Sequence, residues 1–328
     1  MDEARVCSPD DIDASYNSPV ILITFVLGFI GNSIALWIFC FHVKFRSPNT
    51  VYSLNLAIAD TLLICCLPFR ADYFVRGKDW IFGDISCRLK VFMISLNRVG
   101  SIVFLMTIAI DRYFKVVHPF HNANKITPRC AAKIAGALWV VAVAICSHLL
   151  KERHDFQHNN VTNCEPFKIN HQLSPTAIWT YAVFIIFKFL LPMSVILFST
   201  FCIIWRLKQM ETEIRYTYKR AAKLVIAVAL VFTICFLPTN VAIVVVLITK
   251  LRASTDCRSY VVAVDTFHNT LFITYFNSVM DPIIYYFSSS TFKNVLKKAF
   301  PCLNASFSTS TRDDEMNPKG PRMEMDVD

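Results

Sequence analysis

The stretch LKVFMISLNRVGSIVFLMTIAIDRYFKVV, Leu89 to Val117, decides how this chain is read. Between Lys90 and Asp111 it carries one charge, Arg98. A run of about 20 apolar residues, wound as a helix at ~1.5 Å per residue, spans the ~30 Å hydrocarbon core of a bilayer. The run therefore predicts a membrane-crossing helix. An arginine halfway along it is costly and demands a reason.

Six further windows of the same kind lie outward from this one, at 19–40, 52–75, 131–150, 177–204, 221–249 and 260–287, with 89–117 third in order. With 55% apolar and 17% charged residues over 328 positions, the chain is too apolar for a soluble domain. The expected fold is an all-α membrane protein: a bundle of seven transmembrane helices over 19–287, preceded by an N-terminal segment, 1–18. That segment is acidic and lacks the basic and apolar parts of a cleaved signal, so the first span is expected to insert as its own anchor. From 288 to 300, Phe292, Val295, Leu296 and Phe300 alternate with Lys293, Lys297 and Lys298, the pattern of an amphipathic interfacial helix. The polar tail, 301–328, is expected to be disordered.

Loop charges set the orientation. One side carries Lys44, Arg46, Lys125, Arg129, Lys133, Arg206, Lys208, Arg215, Lys219, Arg220 and Lys223 against Glu211 and Glu213, whereas acids balance bases on the other. Basic loops stay cytoplasmic, which puts the N-terminus outside and the C-terminus inside, as expected of a plasma-membrane protein. The net charge of +9 lies mostly in these membrane-flanking loops, where anionic lipid is the partner, so nucleic-acid binding is excluded. Cys7, Cys87, Cys164 and Cys257 fall on the outer side, where three pairings are open. Asn160 heads a glycosylation sequon with Thr162 in an outer loop. Cys302, just past the amphipathic stretch, suits palmitoylation.

Inside the spans stand Asp60, Arg98, Lys188 and Asp281, with Arg112 at the inner edge. Asp60 and Asp281 have Asn55, Asn277 and Ser278 nearby, which reads either as oxygen ligands for a hard monovalent cation or as a hydrogen-bonded cluster tying helices together. Pro192, Pro238 and Pro282 interrupt the last three spans and kink them. A transporter would show internal repeats and broken Gly-rich helices, but there are seven glycines and no repeat. No H-E-x-x-H, G-x-S-x-G or P-loop points to an enzyme.

Several motifs resemble those of rhodopsin-like G protein-coupled receptors, in order across all seven spans. They are Gly31-Asn32, Leu56-Ala57-Ile58-Ala59-Asp60, Asp111-Arg112-Tyr113, Trp139, Cys235-Phe236-Leu237-Pro238, and Asn277 through Asp281-Pro282 to Tyr285. The resemblance implies a sodium pocket of Asp60, Ser101, Asn277, Ser278 and Asp281, with no other metal or cofactor. It implies a switch of Asp111, Arg112 and Tyr113, with Tyr285 meeting Arg112 on activation. It also implies a Cys87–Cys164 bridge, leaving Cys7 for Cys257, and a heterotrimeric G protein as partner, with arrestin as a candidate beside it; the Ser/Thr cluster at 306–311 reads either as phosphate acceptors or as an uncommitted polar tail. Two positions depart from the pattern. Phe236 stands where tryptophan is usual. Tyr218, followed by Lys219 and Arg220, stands where an acid would restrain Arg112, a change expected to raise basal activity.

Arg98 lies 11 residues below Cys87 and 14 above Arg112, about 16 Å and 21 Å of helix, so it serves neither end. With Lys188 and Arg70 at nearby levels, no obvious acid among the three, and Asp60 about 15 Å below the outer end of its own span, it predicts a ligand that brings the negative charge, bidentate carboxylate being the best match. The plainer alternatives are pairing of Arg70 with Asp72 or Asp265, and a Lys188 that snorkels. Leu96 through Ser101, Ala35 through His42, Trp80 through Asp84 and Tyr285 through Ser289 resemble the hydroxycarboxylic acid and oxoeicosanoid receptors. That resemblance implies Arg98 as carboxylate anchor, Tyr275 as its assistant and inhibitory (Gi/o) coupling. Ile243 and Lys188 stand where hydroxycarboxylic members carry an arginine and an acid, which favours a longer oxo or hydroxy fatty acid over a small hydroxycarboxylate. The alternative ligand class is an anionic purine or lysophospholipid.

Overall fold

The computed structural model describes residues 17–43, 47–158, 161–164, 185–251 and 257–299. Seven long helices form the bundle: α1 (Asn17–Phe41), α2 (Pro48–Val75), α3 (Gly83–Val117), α4 (Pro128–Cys146), α5 (Leu191–Lys208), α6 (Thr212–Leu251) and α7 (Cys257–Ser288). A shorter α8 (Ser290–Ala299) follows, and a hairpin of β1 (Asp155–His158) and β2 (Val161–Cys164) lies between α4 and α5. By length and apolar composition six helices suffice to cross a membrane. The seventh, α7, carries His268, Asn269, Asn277 and Asp281 within its apolar run.

The helices outrun the apolar windows because their ends leave the lipid. α3 begins at Gly83, where φ is +80° and a side chain would be strained. α6 reaches back to Thr212, and Lys219, Arg220 and Lys223 carry its first turns beyond the hydrocarbon. The fourth span is shorter than its window of 131–150: α4 stops at Cys146, and His148–Lys151 form a separate turn. Ser47 and Thr127 cap α2 and α4 by accepting from the Thr50 and Cys130 amides, with proline at the first turn of each.

α3 runs through the middle of the bundle and meets α2, α4, α5 and α6. Its Gly100 lets the helices close, since a Cβ there would sit 3.3 Å from Ala59 Cβ and 3.6 Å from the Trp139 ring. Trp139 in turn donates from Nε1 to Asn55 Oδ1 at 2.9 Å, tying α4 to α2. Phe292 of α8 is buried against Phe39 and Tyr285, which fixes α8 to α1 and α7. Burial, then repulsion from Lys297, Arg220 and Lys223, pulls the Lys293 amine below the usual lysine range. Anionic headgroups beside α8 would relieve that crowding.

Candidate functional site

Three polar clusters interrupt the apolar bundle. The first surrounds Arg98 on α3. Its side chain is partly accessible, its Nε is enclosed without a hydrogen-bond partner, and among the described residues it forms no ion pair. Tyr275 of α7 and Arg70 of α2 lie within electrostatic range of it, as does Lys188, set on a π-helical turn (Ile186–Leu190) that leads into α5. The structure thus gathers all four residues expected to bind ligand. Arg70 is 2% exposed and lies over the rings of Phe74, Phe272 and Tyr275 at 5.3, 5.6 and 5.5 Å. Those ring faces stabilise a guanidinium in a dry setting. Asp72 is engaged by Arg76 at 2.7 Å, and Asp265 faces His268 and Lys78. Beside the cluster Leu67, Phe267, Leu271 and Phe272 pack with Tyr275 into one buried apolar core, with Ile243 against it.

The second cluster sits deeper. Asp60 is fully buried; its Oδ1 accepts from Ser278 Oγ at 2.7 Å and from Asn97 Nδ2 at 3.4 Å, and its Oδ2 from Tyr285 at 2.9 Å. Asp281, equally buried, accepts from Asn277 Nδ2 at 2.9 Å and lies against Asp60, within electrostatic range of it. Ser101 is buried beside them, 3.4 Å from Asn97 Nδ2. Three buried oxygens here, Asn32 Oδ1, Asn277 Oδ1 and Asp281 Oδ1, have no donor. Two touching carboxyls require a proton or a cation between them, and orphaned oxygens of this kind are the ligands a hard cation takes. The residues present fit a sodium ion.

The third cluster closes the far end of α3. Asp111 pairs with Arg112 at 3.3 Å and with Lys115 at 2.8 Å, while Tyr113 meets His118 Nε2 at 3.1 Å. Tyr285, expected to reach Arg112 in the active state, is engaged with Asp60 in this conformation. Arg220 holds α6 to α7 by donating to Phe287 O at 3.0 Å and Tyr286 O at 3.4 Å.

At the outer end of α3 the hairpin is fastened by the Cys87–Cys164 disulfide. The Thr162 amide donates to Asp79 Oδ1 at 2.9 Å, the Trp80 amide to Thr162 O at 2.7 Å, and Lys90 Nζ to Cys164 O at 2.9 Å. The pairing of Cys7 with Cys257 involves Cys7, which, like Asn160 and Cys302, lies outside the described residues.

Residues 31–285 match the 7 transmembrane receptor (rhodopsin family) pattern. The chain belongs to that family. Human hydroxycarboxylic acid receptor 2 is 44% identical to this receptor over 286 residues, covering 87% of this chain and 77% of the relative. Human hydroxycarboxylic acid receptor 1 is 41% identical, covering 87% and 80%, and human oxoeicosanoid receptor 1 is 35% identical, covering 87% and 73%. The receptor therefore falls in that subgroup. It is a multi-pass protein of the plasma membrane, not an enzyme, and its partners are a ligand and a G protein.

The sequence reading of the receptor missed three participants. Asn97 stands four residues before Ser101, hence on the same helical face, and that spacing was a usable signal. Lys90 served only to bound the apolar run, yet it is 4% exposed, with Nζ 4.4 Å above the Trp80 ring and 5.0 Å above Tyr73. Arg220 binds backbone carbonyls, which sequence does not display.

Proposed function

We propose that this receptor is switched on by a carboxylic acid whose carboxylate docks bidentately on Arg98, with Tyr275 donating and Arg70 and Lys188 adding positive potential, and that it couples to inhibitory Gi/o proteins. The observation that carries the reading is the Arg98 guanidinium: it lies deep in α3 and has no ion pair among the described residues. A charge at membrane depth without a counterion costs several kcal/mol, and an entering carboxylate offsets that cost. The similarity to hydroxycarboxylic acid and oxoeicosanoid receptors supports an acidic ligand.

The apolar surroundings of Tyr275, a core of Leu67, Phe267, Leu271 and Phe272, favour a ligand with a hydrocarbon body, an oxo or hydroxy fatty acid, over a small hydroxycarboxylate. Identity runs the other way, 44% against 35%, so chain length is the property to measure. The orientation places the N-terminus outside, from the basic loops. Ligand binding would loosen the closed arrangement of α6 and α7, whose Pro238 and Pro282 permit pivoting, and expose Arg112 to the G protein. A sodium ion held by Asp60, Ser101, Asn277, Ser278 and Asp281 would neutralise the carboxyl pair and favour the inactive state.

A panel of carboxylic acids from lactate-sized to twenty-carbon oxo acids, read as suppression of cyclic AMP, tests the proposal. Long acids should act at the lowest concentration, and Arg98→Ala should abolish the response at unchanged surface expression. Activity confined to short acids would overturn the chain-length reading. Unaltered potency in Arg98→Ala would overturn the anchor.

A further inference from the structure

Between α6 and α7, lined by none of the Arg98 cluster, lies a cavity of about 480 Å³. Its α6 side runs from Pro238 to Thr249 and its α7 side from Arg258 to Thr266. The α6 lining recurs at 238, 241, 245 and 249, which is one helical face. Ile243 and Val246 of the same helix instead pack toward Phe272 and Tyr275. Ala242 and Ala263, each 4% exposed, form the floor, and the small side chains leave the space. Val241, Val245 and Val262 form the rims and are 52%, 42% and 56% exposed, so the trough opens outward to lipid.

Its dimensions and charge narrow the occupant. From Pro238 to Thr249 the helix rises about 16 Å, close to half of the ~30 Å hydrocarbon core, so the trough is one leaflet deep. At its upper end, in the first turn of α7, stands Arg258, exposed and without an ion pair among the described residues. An apolar channel one leaflet deep with a guanidinium at headgroup level matches a single-chain amphiphile with an anionic head. We propose that the α6–α7 trough is a second, membrane-facing binding site, which takes a free long-chain carboxylic acid with its carboxylate on Arg258 and its tail against Ala242 and Ala263. The site does not rest on the Arg98 reading. Its lower end abuts Pro238, where α6 lacks a backbone hydrogen bond, and Thr239, which donates to Thr270 O at 2.7 Å and so ties the two helices near the hinge. A tail seated there bears on the hinge of α6.

The test uses the full-length receptor in neutral phosphatidylcholine nanodiscs, labelled by palmitic acid carrying a mid-chain diazirine, with adducts mapped by mass spectrometry. Adducts should concentrate in 238–249 and 258–266, fall on addition of palmitate but not hexadecanol, and persist in Arg98→Ala. Arg258→Glu should reduce labelling about tenfold, the worth of one charge-assisted contact. Val245→Trp, which narrows the trough from its lipid-facing rim, should reduce it independently. Adducts spread evenly over all lipid-facing helices, or undiminished in both variants, would overturn the site. Displacement by phosphatidylserine in preference to palmitate would overturn the free acid as occupant.

Discussion

Replacing Arg220 by alanine removes the two hydrogen bonds that hold the inner end of α6 to the carbonyls of Phe287 and Tyr286. A hydrogen bond from a charged donor contributes about 1.5–3 kcal/mol when well formed. The 3.0 Å bond qualifies, whereas the 3.4 Å contact is long and adds little. Arg220 is only half-buried, so the lower figure of about 1.5 kcal/mol applies, a factor of about ten in the equilibrium between closed and open α6. A minor state of a few per cent or less would then become a substantial one. Agonist-free GTPγS binding, normalised to surface receptor, should rise several-fold in Arg220→Ala, with Arg220→Lys in between because an ammonium lacks the fork. Arg220 also lies within electrostatic range of Arg112, a repulsion that opposes the clamp. Basal signalling equal to or below that of the unaltered receptor would show that the repulsion dominates and would refute the clamp.

Asp60→Asn should erase the sodium dependence of agonist affinity, measured by exchanging sodium for choline. The unaltered receptor should show a shift of at least about fivefold, the lower end of ordinary allosteric couplings. Cys164→Ala unfastens the hairpin and opens a 77-residue separation, at a cost of about 2–4 kcal/mol that thermal inactivation of ligand binding will register. Gly100→Val should lower thermal stability, because its Cβ already meets Ala59 at 3.3 Å and further methyls press on Trp139.

The seven spans were legible because lipid imposes a length and an apolarity that few other environments require. Their ends were not, since Gly83 through Arg88 and Thr212 through Arg220 continue as helix in water, where apolarity no longer marks the chain. Arg98, Asp60 and Asp281 stood out as charges where charge is costly. Asn97 did not, because a neutral amide in a helix is unremarkable until its neighbours are known. Lys90 deceived for a different reason: its counterpart is not an acid but two ring faces and the carbonyl of Cys164, brought in from elsewhere in the sequence. The missing acid at Tyr218 predicted a loosened α6. The fold places Arg220 on α7 carbonyls there, a restraint written in backbone atoms.

The most direct measurement compares one active acid with its methyl ester on the unaltered receptor and on Arg98→Gln, by competition binding. If Arg98 reads the carboxylate, the acid outbinds the ester by about tenfold or more on the unaltered receptor, and the ratio falls toward one in the variant. Equal preference for the acid in both receptors would mean that another group holds the charge, and the arginine would need a different explanation.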